Sequence, residues 1–249
     1  MQAKKSLGQH FLTDTNIIGR IIDAVKETEP QCLLEVGPGG GAITEALMAI
    51  PGVDFKAVEI DDEKVDHLLR HFPALKNRII HTDFLSMEKP FDESFVIVGN
   101  FPYNISTEIL FKVLEWREHV PAIIGMFQKE VAQRVAAGPG SKEYGVTSAL
   151  IQPFYDIQYL FDVAPGCFNP PPKVMSGVIR LTRTTRPFNV RSEKDYRLLV
   201  KTAFGQRRKK LRNPLKPFFT PETLADPIFD KRPEQLGVED FASLTHRMK

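Results

Sequence analysis

The 249-residue chain is predicted to adopt an α/β fold, a parallel sheet with crossover helices, followed by a small all-helical C-terminal domain. Three observations predict it. Over roughly the first 145 residues, short apolar or β-branched runs alternate with stretches of helical period, the pattern of strands joined by crossover helices. Some runs, such as Phe95-Val96-Ile97-Val98, are continuously apolar, as strands covered on both faces require. Beyond residue 192 only helical patterning remains, punctuated by Pro214, Pro217, Pro221, Pro227 and Pro233.

The elements follow in order. Ile17, Ile18, Ile21, Ile22 and Val25 recur at helical spacing after Asp14 and Thr15, both N-cap residue types, so an amphipathic helix begins there. Strands are predicted over Cys32–Val36, Phe55–Ile60, Arg78–His81, Phe95–Gly99 and Ala122–Phe127, with helices at Asp62–His71 and Thr107–Trp116. After about Tyr144 the alternation weakens. Ile157–Val163 and Val174–Leu181 read as two further strands flanking Pro170-Pro171-Pro172, and Thr182–Arg191 reads as a linker. The division is therefore expected near residue 185, with a sheet domain over 1–185 and a helical domain over 186–249.

Composition excludes several classes. The chain is 42% hydrophobic and 26% charged, which is globular rather than disordered, and no apolar run approaches a membrane span. Met1–Leu12 has basic Lys4 and Lys5 but no apolar segment of a signal peptide. Two cysteines, Cys32 and Cys167, provide neither a disulfide framework nor a zinc set, and a reducing, cytoplasmic setting is expected. The net charge of +2 conceals an asymmetry. Lys173–Lys216 carries 14 basic residues against Glu193 and Asp195, leaving the rest of the chain at −10. Such segregation points to a nucleic-acid or membrane surface.

Glu35-Val36-Gly37-Pro38-Gly39-Gly40-Gly41-Ala42 follows the first strand of the sheet and opens a helix. Glycines permit a tight turn and close approach of a ligand, and Gly37, Gly39 and Ala42 fit G-x-G-x-x-G/A. Glu59, 22 residues beyond Gly37 at the end of the second strand, is placed to accept from a ribose diol. Both NAD and S-adenosylmethionine satisfy this evidence. Asp83, just past the third strand, faces the same crevice and can accept from an adenine amine; a turn or N-cap aspartate is the alternative. No hydride-transfer constellation accompanies the loop.

Asn100-Phe101-Pro102-Tyr103-Asn104-Ile105-Ser106 follows the buried fourth strand and enters that crevice. Asn-x-Pro-Tyr in this place resembles the catalytic motif of methyltransferases acting on exocyclic amines, and the longer segment is similar to that of the rRNA adenine N6,N6-dimethyltransferases. Gly8-Gln9-His10-Phe11-Leu12, Phe127-Gln128-Lys129-Glu130-Val131, Phe168-x-Pro-Pro-Pro-Lys173-Val174-x-Ser176 and Phe204-x-x-Arg207-Arg208-Lys209-x-x-Arg212-Asn213 resemble further blocks of that family, in its order. The resemblance spans about residues 4 to 213. It implies a Rossmann-like class I SAM-dependent methyltransferase sheet and dimethylation of two adjacent adenosines in the loop of the 3′-terminal helix of 16S rRNA, in the immature 30S particle.

The resemblance also implies roles. Asn100 and the Pro102 carbonyl would hold the target amine, Tyr103 would stack on the base, and Phe168 would close its other face. Such positioning is worth about 7 to 11 kcal/mol in well-oriented systems, and stacking about 1 to 3 kcal/mol per base. Gly37 is assigned to the methionine end of the cofactor, Glu59 to its ribose, Asp83 to its adenine, and His10 and Leu12 to the arm over it, with Asn100 beside the methyl group. Many members have Asn where this chain has His10, a swap that keeps a hydrogen-bonding side chain while adding a titratable one. Arg207, Arg208, Lys209, Lys210 and Arg212, read as one helix, are assigned to RNA phosphates, which position RNA without reading its sequence. Lys4-Lys5 would add a small second contact. No metal or membrane is implied, and a monomer is expected. Two other readings share these features: a dimethyltransferase of 23S rRNA of the erythromycin-resistance type, and a non-catalytic RNA-binding assembly factor on the same scaffold. The Phe-x-x-Arg-Arg-Lys and Pro-Pro-Pro-Lys-Val runs favour the small-subunit type, and the intact Asn-x-Pro-Tyr motif favours catalysis.

Overall fold

A computed structural model of the protein describes residues 10–249. Lys4, Lys5, Gly8 and Gln9, cited above, lie outside the described residues. The chain forms two compact units, one running to Ala132 and resuming over Ile157–Arg183, the other combining Gln133–Asp156 with Thr184–Lys249.

The first unit opens with β1 (Phe11–Leu12) and α1 (Thr15–Lys26). Asp14 caps α1 by accepting from the Asn16 and Ile17 N–H groups at 2.9 and 3.1 Å, which satisfies donors that a helix start leaves unpaired. The helix buries Ile17, Ile21, Ile22, Ala24 and Val25, the stripe read from the sequence. β2 (Cys32–Val36), β3 (Asp54–Glu59), β4 (Ile79–His81), β5 (Phe95–Asn100) and β6 (Ala122–Gln128) follow, with α2 (Thr44–Met48), α3 (Asp62–His71), α4 (Ser106–Glu115) and α5 (Lys129–Ala136) among them. β7 (Tyr155–Val163), β8 (Phe168–Asn169) and β9 (Ser176–Arg183) complete the strands.

The seven-stranded sheet has the order β4-β3-β2-β5-β6-β9-β7. Pairing is parallel from β4 to β6, and β9 then runs antiparallel to β6. Every residue of β2 is buried, as a central strand covered on both faces should be. Thr182 and Arg183, expected in a linker, instead extend β9, with Thr182 paired to Ala122. The strand order reverses at β2, between β3 and β5, so the crevice outside the carboxyl ends of β2, β3 and β5 is where a ligand belongs.

A separate two-stranded sheet pairs Phe11 with Asn169 and Leu12 with Phe168. It continues through Thr13 N–H donating to the Cys167 carbonyl at 2.8 Å. Strands of two residues carry no periodicity, so they left no pattern to read.

The second unit contains α6 (Val146–Ile151), α7 (Glu193–Gly205), α8 (Arg212–Leu215), α9 (Pro221–Leu224) and α10 (Val238–Thr245). Phe154, Phe188, Tyr196, Phe241, Phe204 and Tyr144 form a continuous chain of edge-on or tilted ring contacts through it. Tyr196 also donates its hydroxyl to the Ala149 carbonyl at 2.8 Å, satisfying a buried polar group. Pro217, Pro221, Pro227 and Pro233 stand in the first turns of short helices, where a missing N–H costs nothing. Among the described residues no helix is long and apolar enough to cross a membrane.

Candidate active site

The carboxyl ends of β2, β3 and β5 surround an open cavity of about 970 Å³, solvent-filled mouth included. Its floor is the glycine loop after β2. Gly37 and Gly41 have φ of +69° and +83°, a region costly to residues with a Cβ. A Cβ at Gly41 would also run into the Phe72 ring. Gly37 donates to the Val58 carbonyl at 2.9 Å, tying the loop to β3. A Cβ on Gly37 would stand 3.9 Å from Pro102, so its absence keeps open the gap between the glycine loop and the segment after β5.

Glu59, closing β3, is 5% exposed and lines the cavity. Its Oε2 accepts from the Gly39 N–H at 3.2 Å, and its Oε1 accepts from the Ile60 and Asp61 N–H groups at 3.0 and 3.1 Å. Lys64 adds its ammonium at 3.8 Å. These donors fix the carboxylate's orientation and leave one acceptor position, on Oε2, without a hydrogen bond. Asp83 does not line this cavity. Its Oδ1 accepts from the Leu85 N–H at 2.9 Å and its carbonyl from Ser86 and Met87, so it heads a turn, the alternative reading of this residue. Its Oδ2 has no hydrogen-bond partner among the described residues.

Asn100 ends β5, and its Nδ2 donates to the His10 carbonyl at 3.0 Å. An amide held by its nitrogen presents its Oδ1 as an acceptor, and that oxygen has no partner among the described residues. Next to it, Phe101 is 1% exposed and packs edge-on against Phe127 at 5.1 Å. Gly99 and Gly125, paired across β5 and β6, make room: a Cβ on Gly99 would meet the Val36 carbonyl at 2.6 Å, and one on Gly125 would meet Phe101 at 2.5 Å. The buried Phe101 thereby anchors the backbone that presents Asn100 and Pro102. The Pro102 carbonyl accepts from the Ile105 N–H at 3.2 Å, which leaves it a second lone pair. Tyr103 shares a 2.5 Å hydrogen bond with the hydroxyl of buried Ser176 on β9. Burial raises the Tyr103 pKa, against which that bond acts, so the phenol stays neutral.

The N-terminal arm supplies His10 and Leu12, both on the cavity wall. His10 Nδ1 is 2.9 Å from the Pro170 carbonyl, and its ring centroid is 5.7 Å from that of Tyr103. Phe168 is brought to the arm rather than to the cavity. At 4% exposure, paired with Leu12 in the main core cluster, its ring is not available to the open face of a bound base in this conformation.

Two site residues were missed by sequence reasoning. Ser176 stands in the sequence only as the end of the Pro-Pro-Pro-Lys-Val block, with no local sign of its contact to Tyr103. Glu35, on β2, also lines the cavity at 1% exposure, and its Oε2 has no hydrogen-bond partner. Burial pushes its carboxyl up to about 8, with the Thr44 hydroxyl opposing and the Glu59 charge adding to the shift. The available signal was a carboxylate inside an otherwise apolar buried strand.

The basic run departs from the helix expected for it. Arg207, Arg208, Lys209 and Lys210 lie in the turn between α7 and α8, and Arg212 starts α8. Arg207 donates to the Lys142 carbonyl at 2.6 Å and lies 3.9 Å from Glu234; Lys210 and Arg212 both pair with Asp230, at 3.0 and 2.9 Å. Arg208 and Lys209 are exposed, without an ion pair among the described residues.

A family model described as ribosomal RNA adenine dimethylase matches residues 1–245. The chain is 50% identical to the ribosomal RNA small subunit methyltransferase A of Cytophaga hutchinsonii, over all of this chain and 98% of that protein. It is 49% identical to the protein of the same name from Parabacteroides distasonis, over 98% of this chain and 93% of that one. Two solved structures share the fold. A dimethyladenosine transferase from Plasmodium falciparum superposes with a TM-score of 0.80 at 24% identity, covering 94% of this chain and 96% of that one. The 23S rRNA methyltransferase ErmE gives 0.72 at 24% identity, covering 95% and 99%. The glycine loop, the acid at the end of β3 and the Asn-x-Pro-Tyr segment thus stand within a match that runs nearly end to end, and the chain belongs to the ribosomal RNA adenine dimethylase family.

Proposed function

We propose that this protein uses S-adenosylmethionine to convert two adjacent adenosines, in the loop of the 3′-terminal helix of 16S rRNA, to N6,N6-dimethyladenosines. It acts as a cytoplasmic monomer on the immature 30S particle and thereby contributes to small-subunit biogenesis. The observation that carries the reading is the Asn100 amide, pinned through Nδ2 to the His10 carbonyl with Oδ1 left as an acceptor beside the glycine-loop cavity. The near 50% identity to relatives named for the small subunit supports that rRNA over the large-subunit one.

The cavity fits the cofactor. Gly37 keeps clear the gap that a Cβ would narrow, Glu59 offers a remaining acceptor position on its oriented carboxylate to a ribose hydroxyl, and the arm residues His10 and Leu12 cover the site. Asp83 remains the proposed partner of the adenine amine through its free Oδ2. When bound, S-adenosylmethionine supplies a methyl group already activated on a sulfonium.

The chain's residues then have to position the amine. The N6 lone pair of adenine is delocalised into the ring, and accepting its N–H groups at Asn100 Oδ1 and the Pro102 carbonyl favours the pyramidal geometry in which that pair becomes available. Tyr103, its hydroxyl held by Ser176, offers a ring for the base to stack on. A base in a loop reaches this position at lower cost than one in a helix, because less stacking is lost. The amine proton becomes acidic only as the N–C bond forms and departs to water, so no general base is required. Arg208 and Lys209 join the RNA contact; Arg207, Lys210 and Arg212 approach it with their charge partly met by Glu234 and Asp230.

The test is methyl transfer to naked 16S rRNA, immature 30S and mature 30S particles, with the product nucleosides identified and primer extension run on both rRNAs. Dimethyladenosine at two adjacent positions of 16S rRNA is expected. A stop confined to 23S rRNA would overturn the substrate assignment, and binding of 30S particles without methyl transfer would make the protein an assembly factor.

A further inference from the structure

Lys173–Lys216 holds 14 cations, yet the structure divides them. Seven are ion-paired: Arg180 with Glu27, Arg183 with Glu118, Arg186 with Asp156, Arg191 with Asp195, Arg207 with Glu234, and Lys210 and Arg212 with Asp230. Apart from Asp195, those acids lie outside the segment in sequence, so chain folding neutralises half of what reads as an uninterrupted basic run. Of the other seven cations, five cluster on α7 and the turn after it.

The helix itself explains why. α7 buries Tyr196, Leu199, Val200 and Ala203. At about 100° per residue the opposite ridge is 194, 197, 198, 201 and 205. Lys194, Arg197 and Lys201 occupy it, Leu198 stands among them at 43% exposure, and Arg208 and Lys209 are exposed in the turn that follows the helix. The side chains of these five cations are exposed and make neither a hydrogen bond nor an ion pair among the described residues. The two acids of α7, Glu193 and Asp195, lie in its first turn, where they suit the helix dipole, and Asp195 is held by Arg191 at 2.8 Å. No acid stands on the ridge between Lys194 and Lys201, which spans about 10 Å at 1.5 Å per residue.

We propose that Lys194, Arg197 and Lys201, continued by Arg208 and Lys209, form a track for the phosphate backbone of RNA, whereas Arg207, Lys210 and Arg212 chiefly hold the helical unit together. This rests on the rRNA substrate argued above. A track of unpaired cations binds by releasing counterions from the RNA and loses no internal pair on doing so. Engaging Lys210 and Arg212 together would instead strip Asp230 of both its partners.

The experiment measures binding of an RNA hairpin carrying the 3′-terminal 16S loop, and of immature 30S particles, across a range of salt concentrations. The proteins are wild type, K194Q/R197Q/K201Q, the single reversal K201E, and R212Q. The triple variant should keep the wild-type unfolding midpoint, bind about tenfold or more weakly near physiological salt, and lose about 2 to 3 from the slope of log K against log salt. K201E should weaken binding in the same direction, which guards against a folding defect peculiar to the triple variant. R212Q should instead lower the unfolding midpoint and change the slope by less than about 1. If wild type methylates and binds the RNA but the triple variant keeps its slope and affinity, the track is wrong while the function stands. If wild type neither binds nor methylates it, both fall.

Discussion

Glu35→Gln isolates one consequence of placing a carboxyl in a central strand. Glu35 is 1% exposed and its carboxyl is pushed from an ordinary 4.5 up to about 8, chiefly by burial. Between those values the native protein keeps the proton and the unfolded chain releases it, so stability falls as pH rises through the window. Each pH unit is worth about 1.4 kcal/mol. From pH 6 to pH 8 the wild type should therefore lose about 2 to 3 kcal/mol at this residue, whereas Gln, similar in shape and never charged, loses nothing there. Glutamine brings an amide that also needs partners, which shifts its stability by a constant and leaves the pH slope untouched. Urea unfolding at pH 6, 7 and 8, followed by the fluorescence of the single tryptophan, Trp116, reads the sheet unit directly because that side chain is buried in it. The remaining titrating groups are common to both proteins and cancel in the difference. The stability difference should move towards the variant by about 2 to 3 kcal/mol over those two pH units. Parallel profiles would refute the reasoning, since they would mean that Glu35 is already charged in the native protein.

Substitutions at four further residues test the site. Asn100→Ala should reduce methyl transfer on the order of 100- to 1000-fold, by analogy with loss of one preorganised polar contact, while cofactor and RNA affinities change only a few-fold; single-turnover transfer and calorimetric titration with the demethylated cofactor separate the two. Ser176→Ala removes the partner of the Tyr103 hydroxyl, and should lower stability by about 0.5 to 1.5 kcal/mol and slow turnover several-fold. Tyr103→Phe should reproduce that loss of turnover, whereas Tyr103→Ala, which also removes the ring, should be far worse in steady-state assays. Gly41→Ala adds a Cβ at a φ of +83° and against Phe72, so denaturation midpoints should report a destabilisation of about 1 to 3 kcal/mol or more.

The parts of the fold legible in the sequence are those with a period or a composition. Cys32–Val36 and Phe95–Gly99 read as buried strands because both faces are covered, and α1 because its apolar stripe begins just after a capping aspartate. The crevice followed from topology, since the glycine loop and Asn100 both end strands flanking the reversal of strand order. What stayed hidden depends on contacts between residues distant in sequence. Asn100 reaches the His10 carbonyl across 90 positions and Tyr103 reaches Ser176 across 73, and neither bond has a local signature. Phe168 was assigned by motif to the base, but its register opposite Leu12 turns it into the core. The segment 133–156 joins the helical unit although no pattern marked it out, because its membership rests on contacts such as Tyr196 with Ala149.

The charge asymmetry shows the same limit. Density along the chain pointed to residues 207–212, where five cations stand in six positions, but proximity in sequence says nothing about acids arriving from elsewhere. Asp230 and Glu234, some 20 residues on, meet three of those five, and for such residues attraction to RNA competes with an internal partner. Lys194, Arg197 and Lys201 looked dilute because the helix separates them by three and four residues, yet the same spacing stacks them on one face. A basic segment is therefore better located by asking which cations share a face and lack an acid than by where they crowd in sequence, and on that criterion the RNA-facing surplus begins one helix earlier than the run suggests.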